Sequence, residues 1–154
     1  MVRNIGEANN LLGIVHSRVL LCQPAEQTLR EWAVPILKAL SVARYTPRNS
    51  DAVVRIFYGD LNGLIQKHLK EVVDRGPVTA WFLRILRRID EGVLRRDEYV
   101  KVLVAACRAL SCTLNIVEMS AHLPPGNVQR AADRILARML AALSPIASTV
   151  RAVS

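Results

Sequence analysis

The sequence predicts an all-α protein, a single bundle of five or six helices, and three observations carry this prediction. Its 154 residues suit one domain with a sizeable core. Hydrophobic residues make up 51% and charged residues 22%, a balance typical of a chain that folds. Aromatic residues are scarce, at 5%, and the Leu, Ala, Val and Ile residues recur at helical spacing. A β-sandwich or a parallel α/β sheet is therefore excluded, and no internal repeat is visible.

The sequence pattern of residues 1–50 predicts a helical arm made of two helices. The first helix spans about 4–22 and the second about 25–43, because apolar residues recur in both at steps of three and four. Pro24 stands at a helix start, where proline is tolerated. Pro35 lies inside the second pattern and should kink or split that helix near Val34. We therefore assign residues 1–50 to an N-terminal helical arm and residues 51–154 to the helical bundle.

The predicted bundle begins with a third helix over 51–74, after a loop over 45–50. Gly59 and Gly63 lie on one face of this helix, which predicts that another backbone approaches closely there. The helix should end at Arg75-Gly76-Pro77, because a basic last turn followed by glycine and proline is a helix stop signal.

Three further helices complete the predicted bundle. A fourth helix over 77–90 ends at Gly92, and a fifth helix over 97–119 is apolar on much of its surface and therefore central. A sixth helix over 127–143 ends at Ser144-Pro145. The tail from Pro145 to Val153 is small and apolar, and we expect it to dock on its own bundle, on a neighbouring subunit or on a lipid envelope.

The sequence carries none of the common catalytic or cofactor motifs, such as a P-loop, GxGxxG, HExxH or GxSxG. The three histidines lie in different segments, at His16, His68 and His122. Two carboxylate pairs, Asp90-Glu91 and Asp97-Glu98, stand near helix ends, where salt bridges to nearby arginines and helix capping explain them. We therefore predict a protein that is not an enzyme, with no catalytic residue, cofactor, metal or small-molecule substrate.

Targeting and membrane segments are not predicted either. Polar residues interrupt the N-terminal segment, so this segment does not resemble a signal peptide. The longest stretch without charge, Met139 to Val150, is shorter than the about 20 residues that span a bilayer. Three cysteines, an odd number, argue against a disulfide framework and fit small buried hydrophobic side chains.

The charge balance indicates the class of partner. The chain has 21 basic and 13 acidic residues, a net charge of +8, and 17 of the basic residues are arginine against 4 lysines. Arginine offers a planar fork that binds phosphate with two hydrogen bonds and is weakly hydrated. We therefore expect a polyanionic partner, nucleic acid first and a membrane surface second.

The basic residues of the second half are clustered. Arg130, Arg134 and Arg138 stand one helical turn apart and form a ridge roughly 12 Å long. A second cluster lies on the fourth predicted helix and a third at the end of the third helix. Their members are Arg84, Arg87 and Arg88, and Lys67, Lys70 and Arg75. No motif for base recognition is present, so we expect contacts to phosphates rather than to bases.

Residues 75–140 carry a resemblance to a known family. They comprise Arg-Gly-Pro at 75–77, a basic helix with Trp81 and Phe82, a turn at Gly92, a long apolar helix, a Pro-Gly break and a last helix from Asn127. This order resembles the helical-bundle major capsid proteins of archaeal filamentous and rod-shaped viruses. Those proteins assemble on linear double-stranded DNA and hold it in the A form, and in enveloped members two related capsid proteins pair.

The resemblance implies a virion protein, assembled in the host cytoplasm, that polymerises on double-stranded DNA. It also implies a homo-oligomer or a hetero-oligomer with a paralogous subunit, and contact with a lipid envelope. If the N-terminal half lines the DNA, the contacts are Arg3, Arg18, Arg30, Lys38, Arg44, Arg48 and Arg55. If the arginine clusters of the second half do so, they are Arg84, Arg87, Arg88, Arg130, Arg134 and Arg138.

Two other hypotheses stay open at this point. One is a soluble helical-bundle interaction module, which holds a partner helix in an apolar groove and carries its arginines as a solvated surface. The other is a small, non-specific DNA-binding regulator. Replacement of arginine by glutamate should abolish DNA binding in a capsid protein and leave partner binding by an interaction module unchanged.

Overall fold

A computed structural model describes residues 5–42, 47–68, 78–120 and 127–153 of the chain, and these residues form helices without any strand. The all-α prediction is confirmed. The helices are α1 (Ile5–Leu21), α2 (Glu26–Val42), α3 (Pro47–His68), α4 (Val78–Asp90), α5 (Arg96–Ser120) and α6 (Asn127–Val153). Residues 69–77 and 121–126, which include Lys70, Arg75 and His122, lie outside the described residues.

The turn between α4 and α5 shows why these helices begin and end where they do. Gly92 has φ +70°, a left-handed conformation that favours glycine. Its N–H donates to the Ile89 carbonyl at 3.0 Å, and the Val93 N–H donates to the Arg88 carbonyl at 3.4 Å, which is the Schellman pattern. The Arg95 N–H donates to Glu98 Oε1 at 3.0 Å, so this carboxylate caps α5.

The helices form two matching sets of three. At the centre α2 packs against α5. Helix α5 also packs against α1 and α3, and α2 packs in the same way against α4 and α6. From residue 11 to 27 the order of buried, half-buried and exposed positions is the same as from 81 to 97. The two halves are therefore related by an approximate twofold relation, which the residue identities do not show.

These contacts fix the order of the helices around the bundle. Each helix packs against the next in the order α1, α5, α3, α4, α2 and α6, and α6 packs back on α1. The expected central position of α5 is confirmed, and α2 shares that position. In this order α1 and α4 lie on opposite sides.

One hydrophobic cluster holds the described helices together. Its largest fully buried side chains include Trp32 of α2, Phe57 of α3 and Phe82 of α4. Helix α1 contributes Leu12 and Val15 to the same cluster. Residues 5–42 of the predicted N-terminal arm therefore pack as part of the bundle.

Of the two predicted effects of Pro35, a kink or a split, the split does not occur, because α2 runs from Glu26 to Val42 as one helix. Proline removes one hydrogen bond and costs a helix about 3 kcal/mol. Ile36 and Leu37, which follow it, are fully buried, and their burial offsets that cost. A kink lies in α3, where Leu61 has the non-helical angles φ −120° and ψ 16°.

The predicted end of the last helix at Ser144-Pro145 is also wrong, because α6 continues to Val153. The side chains of Ile146, Ala147 and Val150 are buried in the common core. Burial of this apolar segment outweighs the hydrogen bond that proline cannot donate. Of the three docking sites expected for the tail, the structure shows its own bundle.

The close backbone approach expected at two glycines is not found. A Cβ atom added to Gly59 or Gly63 would meet nothing within 4 Å. Both residues are exposed on α3, so their spacing reflects an open surface. Helix α3 also begins earlier than predicted, at Pro47 rather than Asp51.

Candidate nucleic-acid interface

Most of the described cations that the sequence predicts for DNA belong to helices that are neighbours in the bundle. They belong to α3, α4, α2 and α6, which follow one another around the core. We call this surface the basic side, and its members are Lys38, Arg55, Arg84, Arg87, Arg88, Arg134 and Arg138. The helix order therefore places residues from both halves of the sequence, which are alternative sets of predicted DNA contacts, on neighbouring helices.

Aromatic contacts join the first two helices of the basic side. The rings of Phe57 and Phe82 meet edge to face, with centroids 4.9 Å apart. Tyr58 and Trp81 add a tilted contact at 6.3 Å. Arg55 precedes Phe57 by two residues on α3. Its side chain is exposed and, two positions from the buried Phe57, points away from the contact with α4.

Helix α4 carries three arginines that differ in how they are held. Arg87 is exposed, whereas Arg84 and Arg88 are half-buried at the edges of the apolar stripe. The stem of a half-buried arginine packs on the bundle while its charged end reaches water. Arg88 Nη1 also donates to Glu91 Oε2 at 2.8 Å, as expected for a carboxylate pair that forms salt bridges. Arg84 and Arg87 are therefore the better placed for an external anion.

Helices α2 and α6 extend the basic side beyond α4. Lys38 is exposed on α2, which packs against both α4 and α6. Arg134 and Arg138 are exposed one turn apart on α6, as the predicted ridge requires. Arg130 belongs to the same helix, and its side chain lies outside the described residues.

The other cations predicted for DNA are not on the described basic side. Arg18 is half-buried near the end of α1, on the far side of the bundle from α4. Arg30 is half-buried near Tyr99 of α5: burial raises the pKa of this phenol, and the charge of Arg30 opposes the rise. Arg48 lies in the first turn of α3, and its side chain lies outside the described residues. Arg3 and Arg44 lie outside them entirely.

Three cations that the predicted site omits line a surface cavity between α3 and α5. Lys67, Arg95 and Lys101 surround this cavity of about 320 Å³, together with Asp97 and Glu98. Lys67 belongs to a basic patch that the sequence predicts, whereas no pattern in the sequence marks Lys101, because the wall of the cavity opposite it comes from α3. The two carboxylates reduce the positive charge here, so the basic side suits a polyanion better.

Glu98 is the most buried charged group at this cavity, with 7% of its surface exposed. Burial disfavours its ionised form. The Arg95 N–H, the His68 ring at 3.1 Å and the Lys67 ammonium at 3.6 Å oppose that effect. Together they lower the pKa of Glu98 below its ordinary value of 4.5. The carboxylate thus ties the start of α5 to the end of α3.

We expect Glu98→Gln to lower the free energy of unfolding at pH 7 by about 1–2 kcal/mol, because charge-assisted hydrogen bonds are lost. A pKa lower in the folded state means that ionised Glu98 stabilises the fold above about pH 4.5 and that this contribution is lost as the pH falls further. In thermal unfolding followed by circular dichroism, the difference in stability between the variant and the wild type should therefore shrink near pH 3. Asp97→Asn, at an exposed neighbour, is the control and should change little.

Comparisons with known proteins leave the identity of the chain open: no family model, no curated protein and no solved structure matches it. Within the described ranges, the structure shows no helix of sufficient length and apolar character to cross a membrane. Among the same residues, no three His, Cys, Asp or Glu side chains gather as metal ligands would.

Proposed function

We propose that this chain binds the phosphate backbone of double-stranded DNA through the basic side, without reading the base sequence, as the structural subunit of a nucleoprotein filament. The observation that carries the DNA-binding part is that α3, α4, α2 and α6, which follow one another around the core, all carry exposed or half-buried cations. A protein that neutralises several phosphates gains affinity from the release of counterions. The net charge of +8 adds long-range attraction to a polyanion.

Duplex DNA fits the surface better than a single strand. Proteins that bind single strands stack bases on exposed aromatic rings. Of the described rings next to the basic side, Phe57 and Phe82 are fully buried, Trp81 is 6% exposed, and Tyr58 is half-buried against Trp81. The arginines are thus left to contact phosphates, which position a protein on the duplex without specifying a sequence.

The assignment to a virion filament is supported by the resemblance of residues 75–140 to archaeal virus capsid proteins, and by that alone. A-form DNA, a paralogous partner subunit, an envelope and a place in the virion come with this resemblance. Many weak contacts repeated along one DNA molecule would give tight overall binding, because each added subunit binds beside its neighbours.

The test is a salt titration of binding to random duplex DNA, followed by fluorescence anisotropy, with electron microscopy of the same mixture. We expect log K to fall linearly with log salt, by about 0.9 for each phosphate neutralised. A single strand of equal length should bind more weakly. Absence of binding at about 50 mM salt would overturn the proposal, and binding without filaments would favour a regulator over a capsid protein.

A further inference from the structure

Helix α1 presents an unusual outer face. Of its exposed positions only Glu7, in the first turn, is charged, and the others end in two leucines; these others are Gly6, Asn10, Gly13, Ser17, Leu20 and Leu21. Leu20 is 53% exposed and Leu21 is 81% exposed. The corresponding helix of the second half, α4, exposes Arg87 and Asp90 instead. We call the six positions the α1 face.

A groove follows the same helix. It is a surface cavity of about 650 Å³, and the residues of α1 that line it run from Asn9 to Cys22 and include Gly13 and Leu21. Asn9 is held at one edge by a hydrogen bond from Ser111 of α5 at 2.8 Å. Four positions of the α1 face therefore line a partly apolar depression, which the cation Arg18 lines as well; they are Asn10, Gly13, Ser17 and Leu21.

We propose that the α1 face is the contact between two copies of this chain, with the two α1 helices packed antiparallel about a twofold axis near Gly13. Two chains of net charge +8 repel each other, so a contact between copies favours a face without like charges. The α1 face meets this condition. It also lies across the bundle from α4, so a dimer built on it leaves the arginines of α4 in both copies open to DNA.

The antiparallel direction follows from the two ends of the helix. It places the bulky Leu21 of one copy over the small Gly6 of the other, and Asn10 beside Ser17. It also brings Glu7, in the first turn, towards Arg18, in the last turn, of the other copy. A parallel pair would set leucine against leucine and Arg18 against Arg18. Antiparallel macrodipoles favour the same direction.

This dimer is independent of DNA binding, so its test contains no DNA. Sedimentation of the full chain under reducing conditions should show a dimer at micromolar concentration. Leu21→Glu should weaken the dimer at least 100-fold. The matched control is Leu83→Glu, at an exposed leucine on α4 on the opposite side, and it should stay dimeric. A monomeric wild type, or equal effects of the two variants, would overturn the proposal.

Disulfide trapping tests the direction of the helices. In a Cys22→Ser background, Gly13→Cys should cross-link under mild oxidation, because the two copies of position 13 meet near the axis. Cys22 of the unmodified chain should not cross-link, since the pairing sets its two copies roughly 25 Å apart along the helices. A cross-link through Cys22 alone would overturn the antiparallel arrangement. Flotation of the chain with anionic vesicles, lost in Leu21→Glu, would assign the α1 face to a lipid surface instead.

The two proposals can fail separately. Leu21→Glu should keep the salt-dependent binding of duplex DNA per chain, since Leu21 is not part of the basic side. A dimer that does not bind DNA would overturn the proposed function alone. A DNA-binding monomer would overturn the α1 contact alone.

Discussion

Replacing Phe82 by alanine is expected to lower the free energy of unfolding by about 3–5 kcal/mol. Phe82 is fully buried, and its ring meets that of Phe57 at 4.9 Å. The change removes apolar burial, leaves a cavity and deletes the edge-to-face contact between α3 and α4. Domains of this kind have a total stability of about 5–15 kcal/mol, so the variant keeps little reserve.

Urea unfolding followed by far-ultraviolet circular dichroism measures this loss. Leu83→Ala is the matched control, because Leu83 is the next residue in α4 and 56% of its surface is exposed. This control should change stability by less than about 0.5 kcal/mol. Equal losses in the two variants would contradict the packing of α4 described above.

The helices could be predicted closely where local signals set their ends. The second helix was expected over 25–43 and spans Glu26–Val42, and the turn at Gly92 lies where glycine must adopt a positive φ. Pro145 misled the prediction, because the last helix was expected to end there, and the split allowed for at Pro35 does not occur either. Pro35 and Pro145 are helix breakers by local rules, but each is followed by buried residues of the common core. The free energy of that burial is a property of the whole fold and is not visible in a local pattern.

The approximate twofold relation could not be predicted from residue identities. Matching positions need the same degree of burial, and many side chains satisfy that requirement. Leu11 corresponds to Trp81 in the core, and Ser17 corresponds to Arg87 on the surface. A pattern of burial is therefore shared by two segments whose sequences look unrelated.

The candidate site could be predicted only in part, because it depends on which helices pack together. Arginines one turn apart on a single helix, such as Arg134 and Arg138, can be recognised from their spacing. The proximity of clusters on different helices depends on which helices pack together. Lys38 and Arg55 join the basic side because α2 and α3 flank α4, an arrangement that no spacing in the sequence records.

Reversing charge on the basic side should have the largest effect on DNA binding. We expect the triple variant Lys38→Glu, Arg87→Glu and Arg138→Glu to bind random duplex DNA at least 100-fold more weakly at about 100 mM salt. All three side chains are exposed, and they lie on three helices of the basic side. The slope of log K against log salt should become shallower by about three, since each phosphate contact contributes about 0.9.

A matched control separates the effect of losing contacts on the basic side from the effect of lowering the net charge of the chain. The triple variant Arg95→Glu, Lys101→Glu and Arg108→Glu changes the charge by the same amount at exposed positions in the turn before α5 and along that helix. Its affinity should fall through the weaker overall attraction, but its slope should stay close to that of the wild type, because no phosphate contact is lost. If both triples flatten the slope equally, DNA is not held by the basic side. If the basic-side triple keeps the wild-type slope while the control loses it, the phosphates lie against α5 instead.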